Sequence, residues 1–197
     1  MNDFEPKKVR TSTLAQFKND GRKFSCLTSY DNLTAGIFDE AGIEVILVGD
    51  SAADNALGYD TTLPITVAEI IPFGRAVAKA AKRALVVVDM PFGTYQGDSK
   101  TALDSAIRIM KESGGHAVKL EGGSEIVESV VRIQQAGIPV MGHLGLTPQS
   151  IYKFGTYSVR AKEQDEATKL LEDAKALQEA GCFSIVFEKI PAELAKE

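Results

Sequence analysis

Val45-Ile46-Leu47-Val48-Gly49-Asp50 is the stretch from which the fold can be read. Four branched aliphatic residues follow one another without a polar break, so neither face of an extended segment would meet water. That is the pattern of a strand covered on both sides, as in a parallel sheet. The run then ends in a carboxylate. Four other runs have the same form: Leu85-Val86-Val87-Val88-Asp89, Ala117-Val118-Lys119-Leu120-Glu121, Val140-Met141-Gly142-His143 and Ser184-Ile185-Val186-Phe187-Glu188. Each ends in a group that binds a metal or moves a proton. The carboxyl ends of parallel strands converge on one face of an α/β sheet or barrel, where active sites are built. One such ending is chance; five, with helices between them, read as an assembled site.

Working outward, a shorter apolar segment at 24–28 adds a sixth strand, and helical patterns fill the gaps between strands. Segment 31–41 is amphipathic and stopped by Gly42. Thr66-Val67-Ala68-Glu69 is a capping box, with Pro72 soon after it predicting a kink or a late helix start. Asp98 or Ser99 opens a helix carrying Leu103, Ile107 and Met110 on one face. Ser124 opens another, and Asp165 a further one that ends before Gly181. Residues 191–196 read as the first turns of a last helix, with Pro191 near its start. Segment 11–18, with Leu14 and Phe17 on one side, predicts an N-terminal helix able to close the bottom of a barrel. Regular alternation of strand and helix implies a parallel sheet with helical crossovers. No linker or low-complexity tract divides residues 1–197, so a single domain is expected. Six strands fit either an open doubly wound sheet or a (β/α)₈ barrel lacking its last two units, since a closed barrel needs eight and an open one exposes two edges. The pattern alone leaves both open.

Composition excludes some functions. A chain of 197 residues with 44% hydrophobic and 25% charged residues is built to bury one core. A formal net charge of -5 gives no electrostatic reason to bind nucleic acid or an anionic membrane. The polar first twenty residues carry no secretory h-region, and no apolar stretch is long enough to cross a bilayer; a cytoplasmic protein is expected. The 2 cysteines, Cys26 and Cys182, read as buried reduced thiols.

The strand endings carry the chemistry. Asp50, Asp89 and Glu121 are hard oxygen ligands, a set that suits Mg²⁺. Any one of them could equally be a helix cap; their shared placement favours a site. Lys119 and Glu121, two apart on one strand, face the same side, and a buried Lys needs an anion beside it. His143 ends a strand and precedes a Gly- and Pro-bearing loop, which suits it to hydrogen-bond a substrate oxygen; His116 reads as a loop residue. Glu188 ends an apolar run, where a carboxylate is disfavoured as an anion and becomes a better base. Ser51 can donate to a substrate carboxylate. There is no P-loop, dinucleotide-binding glycine motif or nucleophile elbow.

Taken in order, Val48-Gly49-Asp50-Ser51, Gly58-Tyr59-Asp60-Thr61-Thr62-Leu63-Pro64, Asp89-Met90-Pro91-Phe92, Val118-Lys119-Leu120-Glu121-Gly122-Gly123, Gly142-His143-Leu144-Gly145-Leu146-Thr147-Pro148-Gln149-Ser150 and Phe187-Glu188 with Pro191-Ala192-Glu193-Leu194-Ala195 resemble the ketopantoate hydroxymethyltransferase family. The resemblance implies a (β/α)₈ TIM barrel whose last two βα units are absent from this sequence. It implies transfer of a hydroxymethyl group from 5,10-methylenetetrahydrofolate to 3-methyl-2-oxobutanoate, giving 2-dehydropantoate on the route to pantothenate, through a Mg²⁺-stabilised enolate. Asp50 and Asp89 match the family's Mg²⁺ carboxylates, and Glu121 matches a third that acts through a metal-bound water. Ser51, Lys119 and His143, with Asp50 and Asp89, match the residues that hold the oxoacid, and Glu188 matches the general base. A homodecamer of two pentameric rings is implied as well. Two stretches depart from the family pattern: Ala52-Ala53-Asp54-Asn55 after Ser51, and 153–162, which lacks the usual double glycine and Gln-Gly-Arg. The competing expectations are another Mg²⁺-dependent oxoacid enzyme of the phosphoenolpyruvate mutase/isocitrate lyase superfamily, and an inactive truncated oligomerisation module.

Overall fold

The computed structural model describes residues 7–197; the first six residues of the polar N-terminal stretch lie outside them. The strands are β1 (Cys26–Thr28), β2 (Val45–Val48), β3 (Leu85–Asp89), β4 (Ala117–Glu121), β5 (Val140–Gly145) and β6 (Ser184–Glu188). They pair in parallel and in chain order, forming a curled six-strand half-barrel. The helices are α1 (Thr11–Asn19), α2 (Asn32–Glu40), α3 (Ala52–Asn55), α4 (Val67–Ala80), α5 (Ser99–Ser113), α6 (Val127–Gln135), α7 (Ile151–Phe154) and α8 (Gln164–Glu179).

Strand side chains alternate between two cores, which is why the central runs are apolar throughout. Ile46, Val48, Val86, Val88, Val118, Leu120, Val140 and Leu144 pack under the helices. Val45, Leu85, Val87, Ala117 and Met141 face the inner side with Val9 and Leu14. Leu14 comes from α1, and the Val9 N–H donates to the Arg83 carbonyl just ahead of β3, so the N-terminal helix closes the amino end of the strands as the sequence predicts.

Helix starts follow their capping chemistry. Thr66 and Glu69 form the predicted box on α4, Asp98 accepts from the Thr101 N–H on α5, and Asp31 caps α2. Four expectations change. Pro72 neither delays nor ends α4, which begins directly after its cap at Val67 and continues to Ala80. Ser124 opens a 3-10 turn (Ser124–Ile126) whose first N–H donates to the Asp173 carboxylate of α8, and the α-helix begins only at Val127. Residues 191–196 hold only a 3-10 turn, Leu194–Lys196. The two free cysteines are not core thiols: Cys26 is exposed and Cys182 half-buried. The physical reason is position, since β1 and β6 are the edges of the sheet and lack a neighbour on one side. β6 is accordingly not wrapped on both faces as its apolar run suggests.

Candidate active site

Two strand registers assemble the centre. Asp89 stands opposite Lys119, and Glu121 opposite His143. These four share the alternation of the inward-facing Val87, Ala117 and Met141, so they emerge on the inner side at the carboxyl ends of the strands. Lys119 Nζ lies 2.9 Å from Asp89 Oδ1 and 3.7 Å from Glu121 Oε1. His143 Nδ1 lies 3.2 Å from Glu121 Oε1 and 3.1 Å from Lys119 Nζ. On the next strand, Glu188 Oε2 lies 3.4 Å from His143 Nε2.

The ammonium and two of the carboxylates are almost wholly buried, and each depends on the others. Burial alone would lower the Lys119 pKa; Asp89, Glu121 and Asp50 outweigh it and hold the ammonium above its ordinary value. Burial raises Asp89, more than Lys119 and the Asp50 N–H lower it. Burial also works against the Glu121 anion, but His143 and Lys119 bring its pKa below the usual range. For His143, burial and Lys119 favour the neutral ring, and Glu121 and Glu188 outweigh them, raising its pKa. A charged ring donates to both glutamates. A neutral ring accepts from Lys119 at Nδ1 and carries its hydrogen on Nε2. In both states the Nε2–H faces Glu188.

Glu188 differs from its sequence reading. Its side chain is 39% exposed, because β6 is an edge strand, so the dry apolar setting expected for it is not there.

Loops after β2 and β5 complete the site. Asp50 follows β2; its N–H donates to Asp89 Oδ2 (2.9 Å) and its Oδ2 accepts from Gln149 Nε2 (2.7 Å). Burial, then the Asp89 charge, pushes its carboxyl up to about 7. Ser51 shares a hydrogen bond of 2.7 Å with the Tyr30 hydroxyl. Sequence reasoning gave no role to Tyr30, Tyr95 or Gln149. Gln149 sits inside the Gly142–Ser150 block, but its amide becomes informative only when Asp50, some hundred residues away, is beside it. His116 is a structural group at the other end of the sheet, where its Nδ1 accepts from the Val86 N–H.

Asp50, Asp89 and Glu121, read from the sequence as a Mg²⁺ set, lie at the carboxyl ends of β2, β3 and β4. Among the described residues no three His, Cys, Asp or Glu side chains converge closely enough to enclose a metal ion, because Glu121 is turned toward Lys119, His143 and the Gln149 N–H. The donor set nevertheless fits Mg²⁺, which uses one or two carboxylates and fills its octahedron with water and substrate. Asp50 and Asp89 are the residues that could supply that pair. Asp89 Oδ1, Glu121 Oε1 and His143 Nε2 are buried, and each faces a charged group of the same cluster: Lys119, His143 and Glu188 in turn.

A family model for ketopantoate hydroxymethyltransferase matches residues 8–197. The chain belongs to the ketopantoate hydroxymethyltransferase family. A relative in Flavobacterium johnsoniae named 3-methyl-2-oxobutanoate hydroxymethyltransferase is 63% identical over 191 residues, covering 97% of this chain and 70% of the relative. One of the same name in Christiangramia forsetii is 64% identical over 193 residues, covering 98% and 71%. This member of the ketopantoate hydroxymethyltransferase family therefore spans about seven-tenths of the length of such relatives. Among solved structures, phosphonopyruvate hydrolase in complex with oxalate and Mg²⁺ superposes with a TM-score of 0.69 at 14% identity, over 94% of this chain and 66% of that one. A 2,3-dimethylmalate lyase of the phosphoenolpyruvate mutase/isocitrate lyase superfamily gives 0.62 at 16% identity, over 97% and 66%. At such identities these likenesses concern the fold alone. Among the described residues, no helix is long and apolar enough to cross a membrane.

Proposed function

We propose that the chain carries the oxoacid half of a 3-methyl-2-oxobutanoate hydroxymethyltransferase, transferring the one-carbon unit of 5,10-methylenetetrahydrofolate to give 2-dehydropantoate. The observation that carries this reading is the buried succession Asp89–Lys119–Glu121–His143 ending at Glu188, in a chain of this family.

In this reading Asp50 and Asp89 would hold Mg²⁺, and Glu121 would act on it through water. Bound there, the ion would act as a Lewis acid toward the ketone oxygen of the oxoacid. Lys119 offsets the substrate carboxylate, and Ser51 and His143 donate to its oxygens. Glu188 takes the proton from C3, leaving the C–H electron pair in a C2–C3 enolate. His143, 3.4 Å away, steadies the glutamate before and after that transfer. C3 then adds to the one-carbon unit; with one water, the products are tetrahydrofolate and 2-dehydropantoate.

The same reading takes the half-barrel as part of an eight-stranded barrel, two further βα units standing between β6 and β1. Phe24, Leu27 and Phe187, all exposed at those two edges, support it, as does the greater length of the relatives. A homodecamer and a cytoplasmic location belong to the same reading.

The test is exchange of the C3 proton of 3-methyl-2-oxobutanoate with deuterated solvent, followed by NMR in the presence of Mg²⁺. Glu188→Gln should bind oxoacid and Mg²⁺ yet fail to exchange. Parent-like exchange in that variant removes Glu188 from the role. No exchange by the parent chain favours an inactive oligomerisation module.

A further inference from the structure

Gln149 joins Asp50, Met90, Tyr95, Gln96 and Glu121 at the site. Its Nε2 donates to Asp50 Oδ2 (2.7 Å) and to the Met90 carbonyl (3.0 Å). Its Oε1 accepts from the Tyr95 hydroxyl (2.6 Å) and from Gln96 Nε2 (2.9 Å). Its backbone N–H donates to Glu121 Oε2 (2.9 Å). The orientation of the amide is fixed chemically, because the Met90 carbonyl can only accept, so the nitrogen must face it and Asp50. The residue is buried and begins from a 3-10 turn, Pro148–Ser150, that folds the β5 loop across the carboxyl ends of the strands.

The consequence is selective. Gln149 occupies one oxygen of Asp50 and one of Glu121. Oε1 of Glu121 is left to face His143 and Lys119, and Oδ1 of Asp50 is left untouched by Gln149. Asp50, just after β2, and Glu121, at the end of β4, are thereby held at a fixed separation by one residue. Uncompensated, two buried acids would repel and turn apart.

We infer that Gln149 is a positioning residue for the divalent-cation site, holding Asp50 and Glu121 in register about it. This rests on the cation reading proposed above. Tyr95 is its partner: the hydroxyl that holds Gln149 Oε1 also accepts from the Glu121 N–H at 2.9 Å.

The test is Mn²⁺ binding to the full chain, read from the EPR signal of free Mn²⁺, beside thermal unfolding in EDTA. Gln149→Met keeps the volume and removes the amide; Tyr95→Phe removes only the hydroxyl. Loss of a group that orients a metal ligand weakens binding roughly 10–100-fold, and that is expected for Gln149→Met, with several-fold weakening for Tyr95→Phe. A merely structural role would lower the unfolding midpoint and leave Mn²⁺ affinity alone. Affinities within about twofold of the parent in both variants, where one decade is about 1.4 kcal/mol, overturn the inference. If Gln149→Met does not fold, Tyr95→Phe decides alone. A parent chain that binds no Mn²⁺ overturns the cation reading and this inference with it, whereas equal binding by parent and variants overturns this inference only.

Discussion

Lys119 shows what one residue can commit a site to. A 4% exposed ammonium persists only because Asp89, Glu121 and Asp50 surround it, and those acids persist only because it is there. Removing one partner of a buried ion pair leaves an uncompensated charge, at a cost of about 3–5 kcal/mol. Lys119→Met should therefore lose stability of that order in urea unfolding with EDTA, and Mg²⁺ should restore part of it. A loss under about 1 kcal/mol would mean that the carboxylates relax by another route. Tyr30 is a milder case. Its hydroxyl is the 2.7 Å partner of Ser51, and a hydrogen bond is worth about 1 kcal/mol net. Tyr30→Phe should weaken oxoacid binding about fivefold by calorimetry; unchanged affinity would leave Ser51 oriented by something else.

At the scale of elements, the join between β4 and α8 is made by Gly123, Ser124 and Asp173. Asp173 of α8 accepts the Ser124 N–H (2.9 Å) and pairs with Lys169 (2.5 Å). A methyl group on Gly123 would collide with that carboxyl group. Gly123→Ala should thus displace Asp173, at a cost of about 1–3 kcal/mol for overpacking, measured by thermal unfolding. Wild-type stability would mean that the loop yields without strain. The sequence located this helix well, since its apolar spacing and its terminal glycine are local signals. At Ser124 it predicted a helix start where the chain first makes a 3-10 turn, with its N–H on an aspartate 49 residues away.

Over the whole molecule, the site makes stability depend on pH. Asp50 titrates ordinarily near 3.8 and in the folded chain near 7. A raised acid stabilises the fold in its protonated form, so its contribution is complete below about pH 3.8 and is lost as pH rises through about 7. His143, also raised, acts in the same sense above its ordinary 6.5. Glu121, lowered from 4.5, acts in the opposite sense, and its contribution is lost only on acidification. The unfolding midpoint in EDTA should therefore fall between pH 5 and pH 8, and Asp50→Asn should flatten the fall. A parent profile that rises over this range would show that Asp50 enters the fold ionised.

The sequence by itself determined that the strands run parallel and the face on which Asp89, Lys119, Glu121 and His143 gather, because both follow from local hydrophobic runs, their alternation with helices and a side-chain period of two. Only the tertiary structure decided the order of the strands, that the sheet curls with two free edges, that Glu188 stands half in solvent on one of them, and that Glu121 turns to Lys119 and His143. Curvature, exposure and the pairing of charges depend on which distant segments come to lie together, and Gln149 beside Asp50 is the contact that no local pattern could announce.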